Sequence, residues 1–497
     1  MLFNSIDFLL FFPVVILIYF IIPNKIKYLW LLAASYYFYM CWDAKYALLI
    51  LASTSITYAS GLLIEKANHT GDSAKQKNLK KLIVVLSVIS NLGILFYFKY
   101  FNFAINSISK IFNIAHIELN MPVFDIILPV GISFYTFQAL SYTIDVYRGD
   151  IKAEKNFFRY TLFVSFFPQL VAGPIERSKN LLSQLSQPKK FSFDSFREGI
   201  LLMIWGYFLK LVMADRIAVF VDTVYGDYKA YPGVYLIIAT VLFGLQIYCD
   251  FAGYSTIAVG AAKILGIKLT DNFNAPYLST SVADFWRRWH ISLTSWFKDY
   301  VYIPLGGNRK GKIRKYLNVM AVFLLSGLWH GAGLSFIVWG ALNGLYQVIG
   351  DILKPVREKA ASALKIDGDF IVVKSIRIIG TIALIDFAWI FFRAKSLTVA
   401  IEIIKSVFTA FNPHILSDGS LLNCGLDDKN MILLLFTIIV LLTADICKKK
   451  GIVLREKILG QKYWLRCIIF VLVILFILIF GNYGPAYDEA RFIYFQF

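Results

Sequence analysis

Charged residues are scarce in this sequence: 16% of its 497 residues are Asp, Glu, Lys or Arg, whereas 58% are hydrophobic. Soluble domains carry roughly 25% charged residues, so a soluble enzyme and a disordered chain are both excluded. Cysteine is also rare, with five in the chain, which excludes a disulfide-stapled secreted domain. The hydrophobic runs are continuous rather than alternating, a pattern that excludes a transmembrane β-barrel.

Motifs for nucleotide use and for metal binding are missing from the sequence. It contains no P-loop, no dinucleotide-binding glycine motif after a strand and no G-x-S-x-G elbow. No cluster of His, Cys, Asp and Glu has metal-ligand spacing, so we expect no catalytic metal. The net charge is +18, but the basic residues lie between hydrophobic runs. This placement indicates anionic membrane lipids as partners and no nucleic acid.

Hydrophobic runs long enough to cross a bilayer recur along the chain, for example at residues 46–64, 82–98, 230–249 and 467–487. Hydrocarbon about 30 Å thick requires about 20 apolar residues in a helix. The predicted fold is therefore an all-α polytopic membrane protein with about 11–12 transmembrane helices, plus re-entrant and interfacial helices. We expect one integral-membrane domain over residues 1–497.

Loop charge predicts the orientation of the helices. Residues 65–81, 308–315 and 448–466 are rich in lysine and arginine, whereas residues 222–231 and 409–430 carry more acidic than basic side chains. Basic loops face the cytoplasm in membrane proteins. Alternation of the helices then places both termini on the extracytoplasmic side.

Several apolar stretches are interrupted by glycine or proline, near residues 128–142, 163–177, 250–267 and 326–333. Broken backbone at membrane depth has to be buried in protein or line a cavity. Helix packing through small residues is the alternative explanation for any single interruption. We expect residues 316–350 to form two helices that meet at glycines, with His330 near their junction.

Residues 281–303 have apolar side chains three and four positions apart, namely Phe285, Trp289, Leu293, Trp296 and Tyr300. Charged side chains lie away from this stripe. The pattern predicts an amphipathic helix at the cytoplasmic membrane interface. An aromatic belt without further function is the alternative.

Four ionisable residues stand out because they lie among apolar residues: His290, His330, Asp250 and Asp386. Ionisable groups inside a membrane segment are functional candidates, and imidazole can take a proton from a hydroxyl group. For the histidines, a hydrogen-bonded core residue is the alternative. For the aspartates we favour structural ion pairs, with Lys210, Arg287 or Arg288 as the expected partners.

Four motifs resemble the membrane-bound O-acyltransferase (MBOAT) family, and the resemblance extends over essentially the whole chain. They are Arg-Arg-Trp-His-Ile-Ser-Leu-Thr-Ser-Trp-Phe at 287–297, Leu-Trp-His-Gly at 328–331, Asp-Phe-Ala-Gly-Tyr-Ser at 250–255 and Gly-Pro-Ile-Glu-Arg at 173–177. The opening Met-Leu-Phe-Asn-Ser and the length resemble the bacterial branch that contains membrane subunits for O-acetylation of alginate, peptidoglycan and cellulose.

The resemblance implies helices around a tunnel through a bacterial cytoplasmic membrane, with acetyl-CoA as the donor and no metal. It implies His330 as the catalytic histidine and His290 as a second, cytoplasmic-side histidine. Donor binding is expected at Arg287, Arg288 and Trp289, and structural or tunnel roles at Asp250, Trp329 and Gly331. An extracytoplasmic SGNH-hydrolase-like partner would complete O-acetylation of a cell-wall polysaccharide or exopolysaccharide.

The aromatic tail at residues 482–497 carries a further expectation. Its end, Phe-Ile-Tyr-Phe-Gln-Phe, resembles the C-terminal motif of the small protein that accompanies the D-alanyl-transferring relative. That resemblance implies Tyr494 as a covalent acceptor of the acyl group. The alternative is a hydrophobic plug that closes the fold; in both cases we expect the tail to dock.

Other functions remain open from the sequence. Within the family, the chain could transfer D-alanine to teichoic acid from a carrier-protein thioester. Asp250 and Asp386 would also suit the proton path of a polysaccharide exporter or proton-coupled transporter, although no inverted repeat is visible. A non-catalytic scaffold is disfavoured by the two embedded histidines.

Overall fold

A computed structural model describes residues 1–67, 73–114, 116–117, 124, 128–364, 367, 370–484 and 492–493. Helices joined by turns and loops make up this part of the chain, and it contains no β-strand. The all-α prediction is therefore confirmed. Contacts group the chain into two compact units, Met1–Met203 with Ile257–Thr270, and Ile204–Thr256 with Asp271–Phe497. The single membrane domain stays a prediction.

The helices are numbered in chain order. The first twelve are α1 (Ile6–Ile21), α2 (Lys27–Met40), α3 (Ala47–Ala67), α4 (Ser73–Leu95), α5 (Phe101–Ile114), α6 (Ile132–Arg148), α7 (Phe157–Ser165), α8 (Phe167–Leu170), α9 (Ser178–Leu185), α10 (Phe193–Tyr207), α11 (Asp215–Gly226) and α12 (Val234–Ile264). The others are α13 (Val282–Arg288), α14 (Ile291–Phe297), α15 (Gly311–His330), α16 (Leu334–Ile352), α17 (Lys354–Ala363), α18 (Ile371–Arg393), α19 (Leu397–Thr409), α20 (Asp428–Lys449), α21 (Leu454–Leu459) and α22 (Tyr463–Phe480).

Six helical stretches in the described residues are long and apolar enough to cross a membrane: Ala44–Ala67, Ala74–Phe112, Val234–Ile264, Ile371–Arg393, Asp428–Lys449 and Tyr463–Phe480. The pair α16 and α17, bent by 46°, would make a seventh. The chain is thus a multi-pass membrane protein. Shorter apolar helices such as α1 would have to supply the rest of the expected crossings, so the figure of about 11–12 stays a prediction.

The structure has interruptions at three of the four predicted places. Helix α6 begins directly after Gly131, whose φ is +77°. Helix α7 ends at Ser165 and is followed by the four-residue α8. Helix α15 ends at His330, and α16 begins at Leu334, so the expected junction near His330 is confirmed.

The predicted interruption at residues 250–267 is wrong. Helix α12 is continuous from Val234 to Ile264, and the chain turns only afterwards, at Gly266 with φ +77°. Gly253, within this helix, allows close packing against a neighbouring segment instead. A Cβ at Gly253 would lie 2.8 Å from the carbonyl oxygen of Gly206, so the two backbones meet where only a small residue fits.

The predicted continuous helix at residues 281–303 is also wrong, because it divides at His290. Helix α13 ends at Arg288, Trp289 is extended, and His290, with a left-handed φ of +42°, redirects the chain into α14. A wider helical turn, Lys298–Tyr302, follows. The backbone conformations of Trp289 and His290 therefore divide the segment into two short helices.

Helices α15 and α16 form a hairpin whose backbones touch. A Cβ at Gly327 would lie 2.3 Å from the carbonyl oxygen of Phe336, and a Cβ at Gly340 would lie 2.3 Å from that of Phe323. Real side chains cannot approach a backbone oxygen so closely. The two glycines therefore set the distance between α15 and α16, whose connecting turn follows His330.

We expect Gly340→Ala to lower the free energy of unfolding by about 1–3 kcal/mol, because the added methyl group forces the two backbones apart. Thermal unfolding of the purified protein in detergent measures the change. Gly350→Ala is the matched control on the same helix, since its Cβ would meet open space, and it should be neutral or slightly stabilising. Equal effects from the two substitutions would contradict the account.

Candidate active site

All residues of the candidate site belong to the second compact unit. His330 is buried at the end of α15 and surrounded by aromatic rings. Its ring centroid lies 4.9 Å from that of Trp329, 5.0 Å from that of Trp339 and 5.3 Å from that of Phe392. These contacts make an apolar pocket around the imidazole, in which electrostatic interactions are stronger than in water.

Gly331 follows this histidine and completes the junction. A Cβ at this position would lie 2.2 Å from Cε2 of Phe336, on the first turn of α16. A side chain at residue 331 would therefore displace a ring that packs on Phe392 at 5.2 Å. The glycine allows the pocket wall to close beside His330.

His290 is fully buried between α13 and α14. Its ring lies 4.6 Å from Phe251 and 6.0 Å from Trp329, centroid to centroid. Trp329 therefore contacts both histidines. Burial lowers the pKa of His290 to about 3, because the charged imidazolium would lose its hydration. The ring is thus neutral near pH 7 and suited to hydrogen bonding rather than to carrying charge.

The turn at His290 is held by Asn272, a residue that the motifs did not single out. The backbone carbonyl of Asn272 accepts from the Ile291 N–H at 3.0 Å, and its side-chain oxygen accepts from the Ser292 hydroxyl at 2.6 Å. Its amide also donates to Ser255 on α12 at 3.2 Å. Only tertiary structure brings Asn272 to the turn, so no local signal could have identified it.

Four tryptophans extend the enclosure from His330 towards His290. Centroid distances are 5.6 Å for Trp286–Trp339, 5.8 Å for Trp339–Trp389 and 5.4 Å for Trp389–Trp289. The Trp286 indole donates to Asn343 Oδ1 at 3.0 Å, which fixes the orientation of the ring. The cluster excludes water from the region between helices α13, α16 and α18.

The structure separates the three residues expected to bind the donor. Arg287 is exposed and lies 3.8 Å from Asp284, while Arg288 Nε is 3.1 Å from the same carboxylate. Trp289, in contrast, is completely buried in the tryptophan cluster. Both arginines therefore lie beside one carboxylate outside the core, whereas Trp289 is part of the core.

Asp250 has the basic partner that the sequence suggested. Its Oδ1 lies 2.7 Å from Lys210 Nζ, which also contacts Asp215 Oδ1 at 2.8 Å. All three side chains are buried. The second oxygen of Asp250 accepts a hydrogen bond from the backbone N–H of Ile493 at 2.8 Å. This buried charge cluster therefore reaches the aromatic tail.

The two described residues near the end of the chain, Phe492 and Ile493, are both buried. The Phe492 ring lies 4.9 Å from Tyr254 and 6.3 Å from Phe251, centroid to centroid. Phe251 is also the ring that contacts His290. Docking of the tail is thus confirmed for these two residues, while Tyr494 lies outside the described residues.

Asp386 does not form the expected ion pair among the described residues. Asp386 is buried on α18 beside Gly244 of α12. A Cβ at Gly244 would lie 2.6 Å from Oδ1 of Asp386. The adjacent Tyr277 hydroxyl donates to the Gly244 carbonyl at 2.7 Å. Both hydroxyl and carboxylate are thus packed against the bare backbone of α12.

The described residues contain no group of three or more His, Cys, Asp or Glu side chains arranged to hold a metal ion. The model of the membrane-bound O-acyltransferase family matches residues 151–363, a range that extends from the loop before α7 to the end of α17. It includes both His290 and His330.

Curated relatives match a larger part of the chain. The probable alginate O-acetylase AlgI of Azotobacter vinelandii is 37% identical over 419 residues, covering 84% of this chain and 80% of the relative. The peptidoglycan O-acetyltransferase of Helicobacter pylori is 34% identical over 439 residues, covering 82% and 80%. The teichoic acid D-alanyltransferase of Bacillus subtilis is 28% identical over 250 residues, covering 47% and 61%.

The family expected from the sequence motifs is thereby confirmed by identity across most of the length of two acetyltransferases. The same relatives are enzymes that transfer acyl groups, and the helices are those of a multi-pass membrane protein. The chain belongs to the membrane-bound O-acyltransferase family and is an acyltransferase.

Proposed function

We propose that this protein acetylates a cell-wall polysaccharide or exopolysaccharide by moving acetyl groups from cytoplasmic acetyl-CoA through the bacterial cytoplasmic membrane. The observation that carries the proposal is the buried His330 at the α15–α16 junction, joined to His290 through contacts with Trp329. The long matches to alginate and peptidoglycan acetylating enzymes support acetylation of a polysaccharide.

In this proposal His330 acts as the general base. It removes the proton from an attacking hydroxyl group, whose oxygen then bonds to the carbonyl carbon of the acetyl thioester. The carbon–sulfur bond breaks, and coenzyme A leaves as a thiolate that takes up a proton. The apolar rings around His330 keep water out, so that hydrolysis does not compete with transfer.

Tyr494 provides that hydroxyl group in the version of the mechanism that we favour. It follows Ile493, whose N–H is bound by Asp250, and Phe492, which shares the Phe251 ring with His290. Acetyl transfer would form a phenyl ester on Tyr494 and release coenzyme A. A serine of the extracytoplasmic SGNH-hydrolase-like partner would then take the acetyl group, restore the phenol and pass the group to the glycan.

His290 has a separate role in this scheme. Its neutral ring lies at the turn that Asn272 holds in place. There it shapes the cytoplasmic side of the site and orients the reacting groups. Donor phosphates would bind near Arg287 and Arg288, because guanidinium groups suit phosphate oxygens. Both termini would lie on the extracytoplasmic side, as loop charge suggests.

D-alanyl transfer is the second candidate within the family. It is less well supported, since the match to the Bacillus subtilis D-alanyltransferase covers 47% of this chain, compared with 84% for the Azotobacter relative. A carrier-protein thioester would replace acetyl-CoA as donor, so incubation with each donor separates the two. Transport is not proposed, because the chain is an acyltransferase.

We expect His330→Ala to reduce acetyl transfer from acetyl-CoA by about 10²- to 10⁴-fold, because the general base is lost. The assay is the release of coenzyme A by membrane vesicles that contain the protein and its partner. His414→Ala is the matched control, since this histidine is exposed and should leave the rate unchanged. Full activity in His330→Ala would refute the assignment.

We expect Tyr494→Phe to abolish glycan acetylation while leaving the amount of membrane-inserted protein unchanged. The substitution keeps the aromatic ring and removes only the hydroxyl group. The measurement is the ester acetate content of the polysaccharide in cells. Normal acetylation in this variant would mean that Tyr494 only helps to close the fold. His330 would then deprotonate the hydroxyl group of an incoming acceptor directly.

We expect Asp250→Asn to loosen the tail, because a neutral amide oxygen binds the Ile493 N–H more weakly than a carboxylate does. Lys210 keeps Asp215 as a partner, so the fold should persist. Tryptic cleavage after Arg491 should become about fivefold faster.

The matched control for this cleavage assay is Asp445→Asn, which removes another buried carboxylate, one bound to the Tyr248 hydroxyl instead of the tail. Its cleavage rate should equal that of the unmodified protein. If the two variants are cleaved at the same rate, Asp250 does not anchor the tail.

A further inference from the structure

A cavity of about 250 Å³ opens in the first compact unit, and none of its lining residues has a role in the transfer chemistry described above. Its walls come from the end of α1, the turn that follows it and the first residues of α2, from α7, from the end of α9 with the segment that follows it, and from Ile267. The loop charges predict that this end of α1 faces the cytoplasm. The cavity is therefore available to ligands of the cytoplasmic membrane surface.

The lining of this cavity carries positive charge. Three of its residues, Lys25, Lys27 and Arg159, are basic, and no acidic residue is among those that line it in the described part of the chain. Basic residues in topological loops would be solvated and spread over a surface. Here they converge on a single concave site, which favours an anionic ligand.

Lys27 is the most informative of the three because it is buried. Its ammonium group donates to the carbonyl oxygen of Lys189 at 2.8 Å and lies 5.1 Å from the centroid of the Tyr19 ring. Both partners stabilise a cation, but neither neutralises it. Buried lysines usually have a counterion, so the cavity beside Lys27 is a place where an anion would be stabilised.

Arg159 also has unused donor capacity. Its Nη1 lies 3.5 Å from Glu154, a long contact, and its guanidinium stacks near the Tyr28 ring at 5.6 Å. The buried Nε makes no hydrogen bond among the described residues. Guanidinium donors bind planar or tetrahedral oxyanions through two nitrogens, a geometry that suits phosphate.

The inner wall of the cavity is apolar. Leu31, Leu162 and Ile267 line it and are almost completely buried, whereas Lys25 at its edge is exposed. A ligand that carries negative charge at one end and apolar groups at the other would match this arrangement. Anionic phosphate groups joined to a larger apolar or aromatic body have this character.

We propose that this cavity is a binding site for a phosphate-bearing ligand, held by Lys25, Lys27 and Arg159. Two sources offer the same chemistry: the headgroup of an anionic phospholipid, and a soluble phosphorylated nucleotide. Neither depends on the acetyl-transfer mechanism, in which the donor phosphates lie near Arg287 and Arg288. In the first case the ligand anchors the unit to the membrane surface, and in the second the cavity is a nucleotide site separate from the transfer chemistry.

Native mass spectrometry of the purified full-length protein tests the site with three probes. These are phosphatidylglycerol, diacylglycerol as a lipid without phosphate, and adenosine 3′,5′-bisphosphate as a soluble phosphorylated nucleotide. The variants are Lys25→Gln and Arg159→Gln. Lys77→Gln is the matched control, because this lysine is exposed on α4 of the same unit and lies outside the cavity.

We expect a phosphate-bearing probe to bind and to lose about tenfold in affinity in Lys25→Gln and in Arg159→Gln, but not in Lys77→Gln. If phosphatidylglycerol, but not diacylglycerol, shows this loss, the ligand is a lipid headgroup. If the bisphosphate shows this loss of affinity, the ligand is a phosphorylated nucleotide. The proposal would be overturned if, for every probe, the two cavity variants bind with the same affinity as the control variant.

Discussion

The ammonium group of Lys210 lies between two buried carboxylates, and the docking of the chain at Ile493 depends on this arrangement. Moving charges out of water costs several kcal/mol per ion unless they are closely paired and hydrogen-bonded. Asp215 and Asp250 meet that requirement at 2.8 and 2.7 Å. The remaining oxygen of Asp250 is satisfied by the Ile493 N–H. Docking of the tail and burial of the charges therefore stabilise each other.

The same region links the tail to the two histidines. Phe251 follows Asp250 on α12 and lies between Phe492 on one side and His290 on the other. Trp329 continues the contacts from His290 to His330. A tail that left Asp250 would uncover this aromatic surface as well as a carboxylate oxygen. The position of Phe492 and Ile493 is thus coupled to the part of the protein that we propose carries out the chemistry.

Sequence patterns predicted features that depend on local chemistry. Glycines beside His330 indicated a helix junction, and a buried aspartate required a cation, which proved to be Lys210. The patterns failed where tertiary structure decides. Glycines in α12 suggested an interruption but serve close packing, and the stripe at residues 281–303 gave no sign of the left-handed backbone at His290. Asn272 was missed because its partners are distant in sequence.

The most direct test of the central claim is the mass of the tail peptide at residues 492–497, released by trypsin after incubation of the purified protein with acetyl-CoA alone. We expect one acetyl group on Tyr494 in the unmodified protein and none in His330→Ala. Glycan acetylation that continues with the partner present, while no acetyl group ever appears on this peptide, would contradict the relay through the tail.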